Sequence, residues 1–289
     1  MNKLIGRAAL RALFLLALTA VPATVRAQAP PTVLDFVSFL DERCYQISGP
    51  SLGVPLLLTH LNPVFRDLPA QNVLLGAPQQ VCVPVQKDEL VPPKDVLPYL
   101  QYVDWACLGI SGPPLNVTVK IDQLNPVIAK LLGSTDVVTV LNPQQLCVPV
   151  SKNNEVLPAD VQNLVQYLDV ECFQVIAAKP VGGQILKLTH LNPLLTSLPL
   201  EVVTFNGPTA TQLCTPVFKN NQIPTDDVLP YIQYSDVLCY EVTGPPMNRD
   251  LLLTHLNPVL SGLPQMNVVA TTTQKLCVPV AKNHQFPPG

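Results

Sequence analysis

Eight cysteines are the residues of this 289-residue chain best placed to do chemistry, and their spacing is regular. Cys44, Cys107, Cys172 and Cys239 are followed 38, 40, 42 and 38 residues later by Cys82, Cys147, Cys214 and Cys277. From each second cysteine to the next first one the step is always 25 residues. Thiols can ligate zinc, attack as nucleophiles or oxidise to disulfides. The chain has no Cys-x-x-Cys pair for zinc, and four equivalent copies of each thiol do not single out one nucleophile. Disulfides fit best. Pairing within copies uses all eight thiols, whereas pairing between copies would strand Cys44 and Cys277 unless the array closes into a ring; the constant 25-residue step is the observation that favours this second scheme. In the chain-entropy model each within-copy bond adds on the order of 4 kcal/mol.

Histidines and carboxylates are the other candidates. His60, His190 and His255 occupy one repeat position, the second copy has Gln123 there, and His284 lies in the C-terminal tail. A general base or metal ligand does not survive replacement by glutamine. The position therefore reads as a packed ring with one nitrogen bonded to backbone, a bond that glutamine can imitate. Asp41, Asp104, Asp169 and Asp236 each stand three residues before a first cysteine, and a carboxylate recurring alone reads as a cap or turn contact. No Gly-x-Ser-x-Gly elbow, phosphate-cradling glycine loop, His-Glu-x-x-His pair or dense acidic calcium loop occurs. No catalytic, cofactor-binding or metal-ligating residue is assigned, and no cofactor is expected. Asn116-Val117-Thr118 is a formal glycosylation sequon.

Four copies of one unit must position these residues: 28–93, 94–158, 159–224 and 225–289. Each opens on an acidic residue and an apolar segment. In the third copy Val161, Leu164, Val165 and Leu168 have helical spacing behind Asp160, which reads as the N-cap. Pro98 and Pro230 fall in the first turn of the equivalent helices. A strand follows around the first cysteine, ending at Gly-Pro in three copies, then a second strand such as Leu56 to Leu61. Asn62-Pro63, Asn125-Pro126, Asn192-Pro193 and Asn257-Pro258 then supply a capping residue and a first helical residue for a short turn, which Gly133 can end in the second copy. Two more strands complete the unit. The last holds the second cysteine in Val81-Cys82-Val83-Pro84-Val85 and its equivalents. Its proline cannot donate to a ladder, so it is expected at an edge or at an interruption. Turns such as Lys152-Asn153-Asn154 are expected to return the chain to the surface. The expected fold is thus mainly β with short helices: four tandem, small, disulfide-braced β-rich repeats, with short and partly apolar linkers that favour packed neighbours.

The first 27 residues read as a secretory signal: Lys3, Arg7 and Arg11, an apolar run from Leu13 to Val21, and small residues ending at Ala27. The apolar run is short for a membrane span, and none follows it. The segment holds four of the 17 basic residues and no acidic one, so the mature chain carries 13 against 20, a net charge of −7. Acidic and without a basic run, it is not expected to bind nucleic acid. A hydrophobic fraction of 48% excludes intrinsic disorder despite 32 prolines. A lone unit of this size would be marginal on apolar burial, which the disulfides of an oxidising compartment remedy.

The strings Leu146-Cys147-Val148-Pro149-Val150-Ser151-Lys152-Asn153, Leu213 to Asn220 and Leu276 to Asn283, with Cys239-Tyr240, resemble an uncharacterised repeat domain found in exported bacterial proteins. Thr215 replaces valine in one copy, and Lys87-Asp88 replaces Lys-Asn in another. The resemblance implies a secreted, periplasmic or cell-surface location and gives no reaction. The function expected is non-enzymatic: surface or matrix binding, or a structural role, with carbohydrate, matrix or another envelope protein as partner. A self-assembling envelope or fibre protein is the alternative, and a secreted hydrolase with a site between modules is a third.

Overall fold

The computed structural model describes residues 30–289, so the expected leader lies outside the described residues. The first copy forms α1 (Val33–Ser38), β1 (Glu42–Gln46), β2 (Val54–His60), β3 (Gln71–Leu75) and β4 (Pro78–Lys87). The second forms α2 (Leu97–Leu100), β5 (Trp105–Gly109), β6 (Val117–Gln123), α3 (Pro126–Leu132) and β7 (Thr135–Lys152). The third gives α4 (Ala159–Val165), β8 (Val170–Ala177), β9 (Ile185–His190) and β10 (Glu201–Lys219). The fourth gives α5 (Leu229–Gln233), β11 (Val237–Thr243), β12 (Arg249–His255), β13 (Met266–Ala270) and β14 (Thr273–Lys282). The fold is mainly β with short helices, as the sequence predicts. In the two middle copies the last two predicted strands run together as the long β7 and β10.

The strands around the first and second cysteines pair in the order β1-β4-β5-β7-β8-β10-β11-β14, and β14 returns to β1. All eight contacts are antiparallel, so the four copies close one barrel, two adjacent strands from each. The outer strands reach the opposite copy. β2 of the first copy pairs with the end of β10 in the third, and β9 of the third pairs with the end of β4 in the first. β6 and β14, and β12 and β7, repeat this exchange between the second and fourth copies. Packing thus goes further than neighbours touching: each buried apolar cluster mixes residues of different copies.

Burial on both faces explains the near-continuous apolar reading of Val81 to Val85. Val81, Val83 and Val85 are at most 1% exposed beneath the outer strands, while Cys82 and Pro84 face the lumen. Proline is tolerated here because the strand changes partner at that point. Along one side β4 pairs with β5 up to Cys82, and from Val85 onwards it pairs with β9. Pro84 therefore has no donor to offer where no ladder runs, yet its carbonyl accepts from Leu191 N at 3.0 Å. Pro149, Pro216 and Pro279 accept from Leu256, Leu61 and Leu124 in the same way. The strand is no edge; the proline marks an interruption.

Three local expectations are corrected. The N-cap of α4 is Pro158, and Asp160 lies in the first turn, within 3.4 Å of the Tyr99 hydroxyl. The lysine of each Lys-Asn turn is not at the surface: Lys87, Lys152, Lys219 and Lys282 are at most 1% exposed. Only the turn residues emerge, with Asn153 and Asn154 at φ of 51° and 59°, a conformation asparagine tolerates better than most residues. Finally, the aspartates are neither caps nor turn contacts. Asp41, Asp104, Asp169 and Asp236 form buried ion pairs with Lys87, Lys152, Lys219 and Lys282 of their own copies.

Each pair is completed by the asparagine of the next copy. Asn125, Asn192 and Asn257 Nδ2 donate to Asp41, Asp104 and Asp169 at 3.2, 2.9 and 2.6 Å, and Asn62 donates to Asp236, which closes the cycle. The same asparagines accept from the backbone N–H two residues on, at 2.9 to 3.0 Å, as the Asn-Pro motif predicts. Removing one member would leave an uncompensated buried charge, at a cost of about 3–5 kcal/mol. Asp104→Ala is expected to destabilise by that amount in chemical denaturation, and Asp104→Ala combined with Lys152→Met by clearly less.

Candidate functional site

The barrel lumen is layered. Neighbouring strands lie about 4.8 Å apart, so eight sulfurs in mutual contact can form a ring only on the inside. Disulfides join Cys44–Cys82, Cys107–Cys147, Cys172–Cys214 and Cys239–Cys277. Residues two positions away on each strand share the inner face. On one side of the sulfur belt these are Glu42, Trp105, Val170 and Val237, all nearly inaccessible. Over them lie α1, α2, α4 and α5, which bury Phe36, Leu100, Leu164 and Ile232 against the belt and seal that end. Trp105 Nε1 donates to the Leu168 carbonyl at 2.8 Å.

On the other side the inner residues are Gln80, Gln145, Gln212 and Lys275, and the barrel opens into a polar cup of about 840 Å³. These four positions lie two residues before each second cysteine. Their side chains bond to one another and to rim glutamines in two groups, one built on Gln145, Gln212 and Lys275 and the other on Gln80. Gln145 Nε2 donates to Gln79 Oε1 at 2.6 Å, Gln212 to Gln144 at 2.7 Å, Gln80 to Gln274, and Lys275 Nζ to Gln212 Oε1 at 2.7 Å. Gln80, Gln145 and Gln212 are at most 5% exposed, while Gln46, Gln79, Gln144 and Gln274 form the rim. Burial pushes the Lys275 ammonium down to about 8 against the opposing pull of Glu241, its register partner on β11. Glu241 is the one carboxylate lining the cup. Sequence reasoning passed over this ring although its signal is visible: Gln79-Gln80, Gln144-Gln145, Gln212 and Gln274 recur at fixed steps before the second cysteines.

The repeat-position histidines do not converge. They end three different outer strands, and each faces the opposite copy. His190 Nε2 lies 3.1 Å from the Tyr45 hydroxyl, and Gln123 Nε2 donates to the Tyr240 hydroxyl at 2.9 Å. The partner that glutamine reproduces is therefore a tyrosine, where backbone was expected. His60 packs edge-on to Phe65, and neither His60 nor His255 has a hydrogen-bond partner among the described residues. Burial, reinforced by Lys282 and Lys219, lowers these two rings to about 4, so both are neutral at physiological pH. His190 is lowered further, to about 3, by burial and then Arg43.

A charged cluster lies between the barrel and the outer strands of the first and third copies. Arg43 forms an ion pair with Glu201 and stacks over Tyr45 at 4.8 Å. Glu171 is fully buried, and its nearest cationic candidate, His60 Nε2, is 3.9 Å away. The equivalents of Arg43 and Glu171 in the other two copies are Ala106 and Leu238. Among the described residues no group of His, Cys, Asp and Glu is arranged to hold a metal ion, and no helix is long and apolar enough to cross a membrane. Comparison with known proteins gives no match to a family model, a curated protein or a solved structure.

Burial alone raises the Glu171 carboxyl to about 8. Its folded value exceeds its unfolded one, so its contribution is fully present below about 4.5 and is lost as pH rises through about 8. Across that window each pH unit costs the protein up to about 1.4 kcal/mol. Glu171→Gln is expected to match the parent protein at pH 5 and to exceed it at pH 9, as measured by chemical denaturation at both values.

Proposed function

We propose that the chain is an exported, non-enzymatic binding protein whose barrel mouth receives a hydroxyl-rich ligand, of the kind presented by the terminal sugars of a matrix or surface glycan. The amide ring carries this reading. A hydroxyl both donates and accepts, and a primary amide offers two donors and an acceptor, so a circle of glutamines matches a polyol from several directions. Because most of these amides already bond one another, in two groups, they are held in place before a ligand arrives, which lowers the ordering cost of binding. Lys275 and Glu241 add one charge of each sign and leave the cup without a strong preference for ions.

The four disulfides fit an extracellular setting, and the leader-like N-terminus and the resemblance of the Cys-Pro-Val strings support export to the cell surface or its surroundings. A hydrolase is the weaker reading, since hydrolysis of a glycoside is usually the work of two carboxylates and Glu241 stands alone in the cup. Matrix and envelope partners enter this proposal as the bearers of the glycan.

Glycan-array screening followed by calorimetric titration tests it. The parent protein is expected to bind a neutral saccharide, and Gln145→Ala to weaken that binding at least about tenfold by removing one amide from the cup and the bond that holds Gln79. Absence of binding to every saccharide, with the fold intact by circular dichroism, overturns the proposal.

A second reading is favoured by the free edges of β3 and β13, each of which pairs on one side only. Exposed edges invite pairing with another copy. Sedimentation across a wide concentration range decides it: concentration-dependent association is expected if the edges pair, and a monomer throughout removes the reading.

A further inference from the structure

The four disulfides do not sit apart from one another. Around the belt each Sγ has its bonded partner on one side and the next copy's Sγ on the other. Those non-bonded contacts are 3.7 Å for Cys82 and Cys107, 3.6 Å for Cys147 and Cys172, 3.8 Å for Cys214 and Cys239, and 4.0 Å for Cys277 and Cys44. All eight residues are at most 4% exposed. Closure of the barrel removes the objection to pairing between copies, because the two terminal cysteines now meet. The same eight atoms therefore offer two complete sets of four bonds.

We propose that the belt is a thiol–disulfide exchange ring that passes between the within-copy set and the between-copy set. The step requires one thiolate, and a low-molecular-weight monothiol supplies it. Its sulfur attacks Cys44 Sγ, forming a mixed disulfide, breaking Cys44–Cys82 and leaving Cys82 as thiolate. Cys82 attacks Cys107 and releases Cys147; Cys147 attacks Cys172 and releases Cys214; Cys214 attacks Cys239 and releases Cys277. Cys277 then attacks Cys44 and expels the monothiol. The four within-copy bonds are replaced by four between-copy bonds, the mixed disulfide is made and undone, and no net oxidation or reduction occurs. The monothiol is a catalyst.

One feature of the fold favours this exchange. Attack at a disulfide sulfur needs the incoming thiolate close to it and on the side away from the leaving sulfur. The order of strands around the barrel gives every bonded sulfur a neighbour of another disulfide at 3.6 to 4.0 Å. The product differs mechanically from the starting set. Within-copy bonds tie each hairpin to itself and leave the β1–β14 seam held by hydrogen bonds and packing. Between-copy bonds join every copy to the next and close that seam through Cys277 and Cys44, so the barrel becomes a covalent hoop.

The variant Cys82→Ser starts the relay without any added reagent, because it leaves a thiol on Cys44 beside Cys277. After incubation at mildly alkaline pH, quenching with acid, alkylation under denaturing conditions and peptide mapping, the free thiol is expected to be spread over Cys44, Cys239, Cys172 and Cys107. A Cys44–Cys277 crosslink is expected to accompany it. Label confined to Cys44 overturns the proposal. Should that variant fail to fold, the parent protein decides: incubated with a trace of 2-mercaptoethanol, it is expected to yield crosslinks between cysteines 25 residues apart, such as Cys82–Cys107. Crosslinks confined to the within-copy spacings of 38 to 42 residues overturn the proposal.

Discussion

A lysine ammonium taken out of water must meet a counter-charge, and meeting it four times organises this protein. Each buried lysine ends the strand of a second cysteine, and its aspartate precedes the strand of the first, so the pair holds one hairpin of the barrel at a set register. In three of the pairs the carboxylate oxygen that meets the lysine also accepts from an asparagine of the next copy. That asparagine can arrive only if the outer strand before it has crossed to the opposite copy. One electrostatic requirement thus links a copy to itself, to its neighbour and to the copy across the barrel. Desolvation works against every such pair, raising Asp41 and Asp104 to about 6 and lowering Lys87 and Lys219. Such a pair adds little net stability over an apolar replacement. Its contribution is to register and threading.

Within this frame the lumen divides by polarity. Helices close one end because each inter-copy linker must return from the turn after one strand to the start of the next, and the apolar stripe of a short helix covers that path. The other end has no linkers, so it stays open and can be polar. The sulfur belt separates the two, and its small, apolar atoms fill the interior of an eight-stranded barrel, which has room for little more than side chains. Trp105 shows the limit: one large residue is accommodated on the capped side where the equivalents are Glu42, Val170 and Val237.

The four copies are alike in backbone and unlike in what they bury outside the barrel. Between the first and third copies lie Arg43, Glu201, Glu171, His60 and His190, while the second and fourth present Ala106, Leu238 and Gln123 at corresponding positions. Burial raises the Glu171 carboxyl and lowers the rings of His60 and His255, so the outer layer responds to pH. The mouth is more uniform, since three of the four residues that lie two before the second cysteines are glutamine.

Local chemistry was legible in the chain alone: the short helices, the Asn-Pro caps, the glycine that ends α3 and the β-rich class all follow from short-range rules of capping, turn geometry and alternation. These rules act over a few residues, so four noisy copies suffice to read them. Closure was not legible. Whether the fourth copy meets the first depends on strand twist and shear summed over eight strands, and no window of residues reports that sum. The lysines were misplaced for the same reason, because the aspartate that makes Lys87 buriable is 46 residues away in the chain and reaches it only once the two strands pair. The glutamines before the second cysteines looked like ordinary polar positions on alternating strands. Only the tertiary structure brings them to one rim, since a barrel turns an alternating pattern inward and gathers one residue from every copy at the same height.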